Sequence, residues 1–103
     1  MQISTEYRRG ILFIRLRGRI DEYGVIKKIN DLIDEFGIKY IVLNFENLKY
    51  ISLESIEHII KYYKKILKKK KSLLICDANK GRIKVFNNII PNIDNELEAF
   101  SLI

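Results

Sequence analysis

The chain has 103 residues, 48% of them hydrophobic and 31% charged, the composition of one globular domain rather than of a disordered chain. Its apolar runs fall well short of the roughly 20 residues that a membrane-crossing helix needs, and Met1-Gln2-Ile3-Ser4-Thr5-Glu6 lacks the positive-then-apolar order of a signal peptide. The net charge of +6 is local: residues 61–71 hold seven lysines and no acid, and the remainder sets 12 basic residues against 13 acidic ones.

Gln2 to Tyr7 reads as a first strand, and Arg8-Arg9-Gly10 as a tight turn in which Gly10 can take positive φ. Ile11 to Arg17 is a clearer strand, with Leu12, Ile14 and Leu16 on one face and Phe13, Arg15 and Arg17 on the other; the two arginines bring that second face to water near its end. Gly18-Arg19-Ile20-Asp21 closes the strand and opens a helix. Asp21 is placed as its N-cap and Glu22 as a first-turn acid. Ile26, Ile29, Ile33 and Phe36 recur at helical spacing, and Gly37 is a natural stop.

Lys39 to Phe45 is apolar on both faces, as a central covered strand should be. Asn47 to Ser52 reads as the loop that follows. A second helix spans Leu53 to Lys68, with Leu53, Ile56, Ile59, Ile60, Tyr63, Ile66 and Leu67 as its buried stripe and Glu54, Glu57, Lys61, Lys64, Lys65 and Lys68 as its wet face. Tyr62 is assigned to the half-buried flank. Leu73 to Cys76 is a short buried strand, and the lone cysteine, Cys76, reads as a small apolar core residue in a reducing cytoplasm. Asp77 to Gly81 is a loop, Arg82 to Ile90 a third helix, Asn92-Ile93 a short strand and Asn95 to Leu102 a final helix. The fold class is therefore α/β: one small domain, residues 1–103, with a mixed, mostly parallel sheet of four to five strands flanked by about four helices. In such a sheet the loops Gly18–Asp21, Asn47–Ser52 and Asp77–Gly81 gather at the C-terminal ends of the parallel strands, where binding sites form.

The chain offers no reaction centre. There is no Cys/His or Ser/His pair close in sequence, no phosphate-cradling Gly-x-x-x-x-Gly-Lys-Ser, and the single histidine, His58, has no partner at metal-ligand spacing and reads as an exposed helix residue. The expectation is a binding module, not an enzyme, with no cofactor and no metal. The order of motifs resembles the STAS domain, the family of sulfate-transporter tails and bacterial anti-sigma-factor antagonists. Gly18-Arg19-Ile20-Asp21 is similar to the family's Gly-x-Leu-Asp at the end of the second strand. Ile41-Val42-Leu43-Asn44-Phe45-Glu46-Asn47-Leu48 is similar to its third strand, an apolar run ending in Asp or Asn before a loop with a recurrent leucine. The resemblance covers essentially the whole chain. It implies a regulatory protein that binds the serine kinase sequestering a sigma factor, docking through the Asp21 loop and the start of the second helix.

Many antagonists carry Asp-Ser-Ser-Gly there, and phosphorylation of the first serine breaks the complex. An ungapped match sets Ser52 on the Asp, Leu53 on the phospho-acceptor, Glu54 on the second serine and Ser55 on the glycine. A leucine accepts no phosphate, so the switch is absent or has moved to Ser52 or Ser55. Ser52 reads first as a helix N-cap and second as a phospho-acceptor. Ser55, one turn inside, reads as helix surface, and Glu54 as a first-turn acid or a fixed negative charge imitating the modified state. The expected partner-binding set is Asp21, Glu22, Ser52, Leu53, Glu54, Ser55 and Glu57. The expected partner is a serine-kinase anti-sigma factor or a related regulator in the cytoplasm, with neither nucleic acid nor membrane insertion. The alternative is an unphosphorylated scaffold or adaptor in a homo-oligomer or beside a transporter. The lysine run reads first as a solvated helix end, with an acidic partner, a membrane surface or nucleic acid as other readings.

Overall fold

A computed structural model describes residues 2–20, 23–77, 86 and 89–102. The expected roles of Asp21 and Glu22 and most of the expected helix Arg82–Ile90 lie outside the described residues, as do the side chains of Val25, Ile26 and Phe36. The elements in chain order are β1 (Gln2–Arg8), β2 (Ile11–Ile20), α1 (Tyr23–Phe36), β3 (Tyr40–Ile51), α2 (Leu53–Leu67), β4 (Ser72–Cys76), β5 (Asn92–Ile93), a 3-10 turn (Glu96–Glu98) and α3 (Ala99–Leu102). They form one five-stranded sheet in the order β1-β2-β3-β4-β5. β1 and β2 are an antiparallel hairpin, and β2, β3, β4 and β5 run parallel. The hairpin closes through Arg9 and Gly10 at φ 50° and 84°. Two successive positive φ values match the right-handed twist of the flanking strands.

The alternation expected along β2 holds. Leu12, Ile14 and Leu16 join the larger core under α1 and α2 with Ile29, Ile33, Ile41, Leu43, Ile59 and Ile66. Ile11 and Phe13 face a smaller core with Val42, Leu74, Cys76, Ile93 and Ala99, against which Phe100 packs. The Phe13 and Phe100 rings meet at 5.7 Å. Val42 and Ile41 are both fully buried, so β3 is covered on both faces. Burying side chains such as Phe13, Phe45 and Ile66 contributes about 1.5–3 kcal/mol each. Among the described residues no helix is long and apolar enough to cross a membrane.

Two sequence expectations are corrected. First, β2 and β3 run further than expected: the segment read as the loop Asn47–Ser52 is strand through Ile51. The reason lies in the ladder. Register shifts fall between Arg15 and Arg17 and between Gly18 and Arg19, so that Arg17 meets Asn47, Gly18 meets Leu48, Arg19 meets Tyr50 and Ile20 meets Ile51. At the first shift the Asn44 side chain accepts the Glu46 N–H at 2.8 Å, a local bond that competes with the ladder and admits an extra residue. At the second, Gly18 stands at φ 100°, a conformation other residues reach only under strain. Pairing then resumes, carrying both strands onward together. Second, the buried stripe of α2 is rotated: Ser55 and Tyr62 are buried with Ile56, Ile59, Tyr63 and Ile66, while Leu53 and Leu67 are exposed. Tyr62 goes inside because its hydroxyl donates to Asp34 of α1 at 3.1 Å. Burial and that carboxylate push the Tyr62 pKa well up. Of the segment expected as a third helix, Ile89 and Ile90 both donate to the Phe86 carbonyl at 2.9 Å; residues 82–85, 87 and 88 lie outside the described ones.

Candidate functional site

The ends of β2 and β3 meet at one rim of the sheet. Ser52 follows β3 directly, and its N–H donates to the carbonyl of Ile20, the last residue of β2, at 2.8 Å. The start of α2 and the exit from β2 toward residue 21 are thus tied by a backbone hydrogen bond. Ser52 adopts extended backbone, φ −72° and ψ 154°, and caps the helix: its Oγ accepts from the Ser55 N–H at 3.1 Å. The Ser52 carbonyl accepts the first intrahelical bond, from the Ile56 N–H, at 3.0 Å. Every role expected of an N-cap is filled.

Ser55 departs from its expected place on the helix surface. It is 1% exposed, and its Oγ accepts from the Ser52 hydroxyl at 2.9 Å. Its side chain falls on the sheet-facing side with Ile56 and Ile59, and the hydroxyl is tolerated there because Ser52 satisfies it. Leu53, by contrast, is 68% exposed. It stands in water on the first turn of the helix, one turn from the exposed Glu57, where a partner could cover it. Glu54 is also exposed, 3.8 Å from His58 Nε2 one turn on, and its charge suits the helix start. At the ends of β2 and β3, Arg19 lays its guanidinium 4.3 Å from the centroid of the Tyr50 ring. That ring is 40% exposed, and the contact is a stacked cation–π pair produced by the direct Arg19–Tyr50 register. The rim therefore presents a leucine, a stacked aromatic and two carboxylates. Among the described residues no cluster of His, Cys, Asp and Glu is arranged to hold a metal ion.

On the other face of the sheet lies a polar row that the sequence reading missed. Arg15, Asn44 and Cys76 are direct neighbours across β2, β3 and β4. Glu96, from the 3-10 turn, accepts from Arg15 Nε at 2.9 Å, Arg15 Nη2 at 2.7 Å and Asn44 Nδ2 at 2.7 Å. Arg15 Nη2 also reaches Glu6 at 2.8 Å. The Arg15 guanidinium holds the Glu96 carboxyl below the usual carboxylate range, and the two acids hold the guanidinium firmly charged. The signal was present as an arginine and an asparagine at period-2 positions of apolar strands, but the partner stands 81 residues away in sequence. Cys76 is buried; desolvation first, then its 3.5 Å contact to Glu46, push its thiol up to about 12. It is a protonated core residue, not a nucleophile.

The STAS domain profile matches residues 2–91, so the chain belongs to the STAS domain family. An anti-sigma F factor antagonist of Paenibacillus polymyxa is 28% identical over 109 residues, covering 98% of this chain and 93% of that protein. The unphosphorylated anti-sigma factor antagonist SpoIIAA shares the fold at a TM-score of 0.78 and 22% identity, with 98% of this chain and 96% of that one covered. The Bacillus cell fate determinant SpoIIAA in its phosphorylated form matches at 0.73 and 18% identity, with 98% of each chain covered.

Proposed function

We propose that this chain is an anti-sigma-factor antagonist-like regulator that binds a serine-kinase anti-sigma factor, or a related regulator, and does so without the family's phosphorylation switch. Its partner surface comprises Ser52, Leu53, Glu54 and Glu57, with Asp21 and Glu22 of the adjoining segment and with Ser55 acting from beneath by holding Ser52. The observation that carries this reading is the 68% exposure of Leu53 on the first turn of α2, beside the end of β2. An apolar side chain gains by leaving water only when a partner covers it. The relatives' role as anti-sigma factor antagonists supports the same reading. At the position aligned with the phospho-acceptor there is no hydroxyl to modify. Ser52 keeps its hydroxyl engaged as both donor and acceptor, and Ser55 is enclosed.

Capture of the kinase in the presence and absence of ATP tests this, with the phosphate content of the captured chain read by mass spectrometry. Undiminished capture with ATP, and no phosphate, is expected. Phosphate mapped to Ser52 together with release of the kinase would contradict a switchless binder. A stable homo-oligomer that captures no kinase would favour the scaffold reading instead.

A further inference from the structure

We infer that the C-terminal end of α2 is a docking surface for an anionic membrane, on which the domain rests without crossing it. Lys61, Lys64, Lys65 and Lys68 recur at helical spacing on the side of α2 opposite its buried stripe, and all are exposed, as are Lys69 and Lys70. Among the described residues no ion pair joins any lysine of the run to an acid. On the neighbouring helix, Asp34 already accepts from the Tyr62 hydroxyl at 3.1 Å. The cluster is thus concentrated, and among the described residues its lysines make no ion pair.

The closing turn of α2 adds a second observation. Lys69 donates to the Ile66 carbonyl, Lys70 to Leu67 and Lys71 to Ile66, at 3.0, 3.0 and 3.1 Å, and Lys70 sits at φ 61°. That left-handed position is one glycine occupies at lower cost. A lysine is held there instead, extending the charged surface past the last turn.

Three features favour a lipid surface over nucleic acid. Every cation in the run is lysine, a point charge, whereas paired recognition of phosphate or base edges favours the arginine fork. The tyrosines of α2, Tyr62 and Tyr63, are buried and offer no ring to a base. Leu67 stands 47% exposed next to Lys64 and Lys68, and a leucine within a lysine field suits the boundary of headgroups and acyl chains. Polybasic surfaces bind anionic leaflets by such summed attraction. The charge order along α2 also fixes the orientation. Glu54 and Glu57 lie toward the N-terminal end of the same face, so an anionic surface repels that end and holds the lysine end down. The 15-residue helix separates the two ends by about 22 Å. The Leu53 rim therefore stays free while the lysines are engaged.

Vesicle sedimentation tests this, with phosphatidylcholine vesicles containing phosphatidylglycerol against vesicles of phosphatidylcholine alone. The full chain is expected to bind the mixed vesicles selectively and to be released by added salt. The variant K61Q/K64Q/K65Q/K68Q should lose roughly five-fold in affinity per lysine. K27Q/K28Q/K39Q/K49Q, with the same net charge, should bind nearly as well as wild type. L67Q should bind more weakly than wild type with the same salt dependence. Equal binding to neutral vesicles, equal losses in the two quadruple variants, unchanged binding of L67Q, or capture by duplex DNA at lower concentration than by mixed vesicles would each overturn the assignment.

Discussion

The hydroxyls of Ser52 and Ser55 lie 2.9 Å apart, and the Ser55 N–H returns to Ser52 Oγ at 3.1 Å. One short cycle thus caps α2 and satisfies a serine that is otherwise buried. Ser52→Ala removes the cap and strands the Ser55 hydroxyl, at a cost of about 1–2 kcal/mol. In a domain of this size that lowers the melting temperature by about 4–8 °C per kcal/mol. Ser55→Ala leaves Ser52 able to bond water and should cost less. Thermal unfolding of the two variants checks the order; a neutral Ser52→Ala would mean the cap contributes nothing.

Leu53→Ser should leave stability within about 0.5 kcal/mol, because the side chain is exposed and touches no core. It places a hydroxyl at the position that the proposed ungapped match sets on the family's phospho-acceptor. Incubated with the kinase and ATP, the variant should gain one phosphate on residue 53 and then lose its hold on the kinase, since the added charge of about −1.5 to −2 disrupts an apolar contact. Intact-mass measurement before and after incubation reads the outcome. No uptake of phosphate would show that the missing hydroxyl is not what disables the switch.

Glu96 ties the C-terminal segment to the second face of the sheet through Arg15 and Asn44. Its folded pKa is depressed, chiefly by the Arg15 hydrogen bonds. The stability it contributes is therefore present above the ordinary carboxylate pKa and is lost as pH falls through the lower folded value. Urea unfolding at neutral pH should show Glu96→Ala destabilised by about 1–3 kcal/mol. The gap from wild type should narrow on acidification; a gap independent of pH down to that range would contradict the assignment.

Cys76 should resist alkylation in the folded chain, because burial keeps its thiol protonated up to about 12. Iodoacetamide labelling followed by mass measurement should show no adduct at neutral pH and full labelling in denaturant. Rapid labelling without denaturant would place the thiol at an accessible surface.

The strands and helices that alternate cleanly were legible in the sequence because each buries one periodic face. The split of β2 into Leu12, Ile14 and Leu16 against Phe13 and Arg15 is the clearest case. The continuation of β3 through Asn47–Ile51 was not legible. It depends on the Asn44 side chain taking the Glu46 N–H and on a register shift at Gly18, both of which arise only once β2 and β3 are paired. The N-cap role of Ser52 could be read from its place before an apolar helical stripe. The inward turn of Ser55 and the exposure of Leu53 could not, because the stripe tolerates a rotation that only the Tyr62–Asp34 bond and the Ser52 hydroxyl decide. Arg15 and Asn44 stood out as polar residues on apolar strands, but nothing near them in sequence pointed to Glu96, 81 residues from Arg15.

Calorimetric titration of the purified serine-kinase anti-sigma factor with wild type, Leu53→Asp and Glu57→Lys asks most directly whether the opening turn of α2 is the partner surface. Wild type should bind. Both variants should melt within a few degrees of it, since residues 53 and 57 are exposed, yet bind at least about ten-fold more weakly, as loss of an interface anchor or reversal of a contact charge does. Affinities equal to wild type in both variants would remove this turn from the interface.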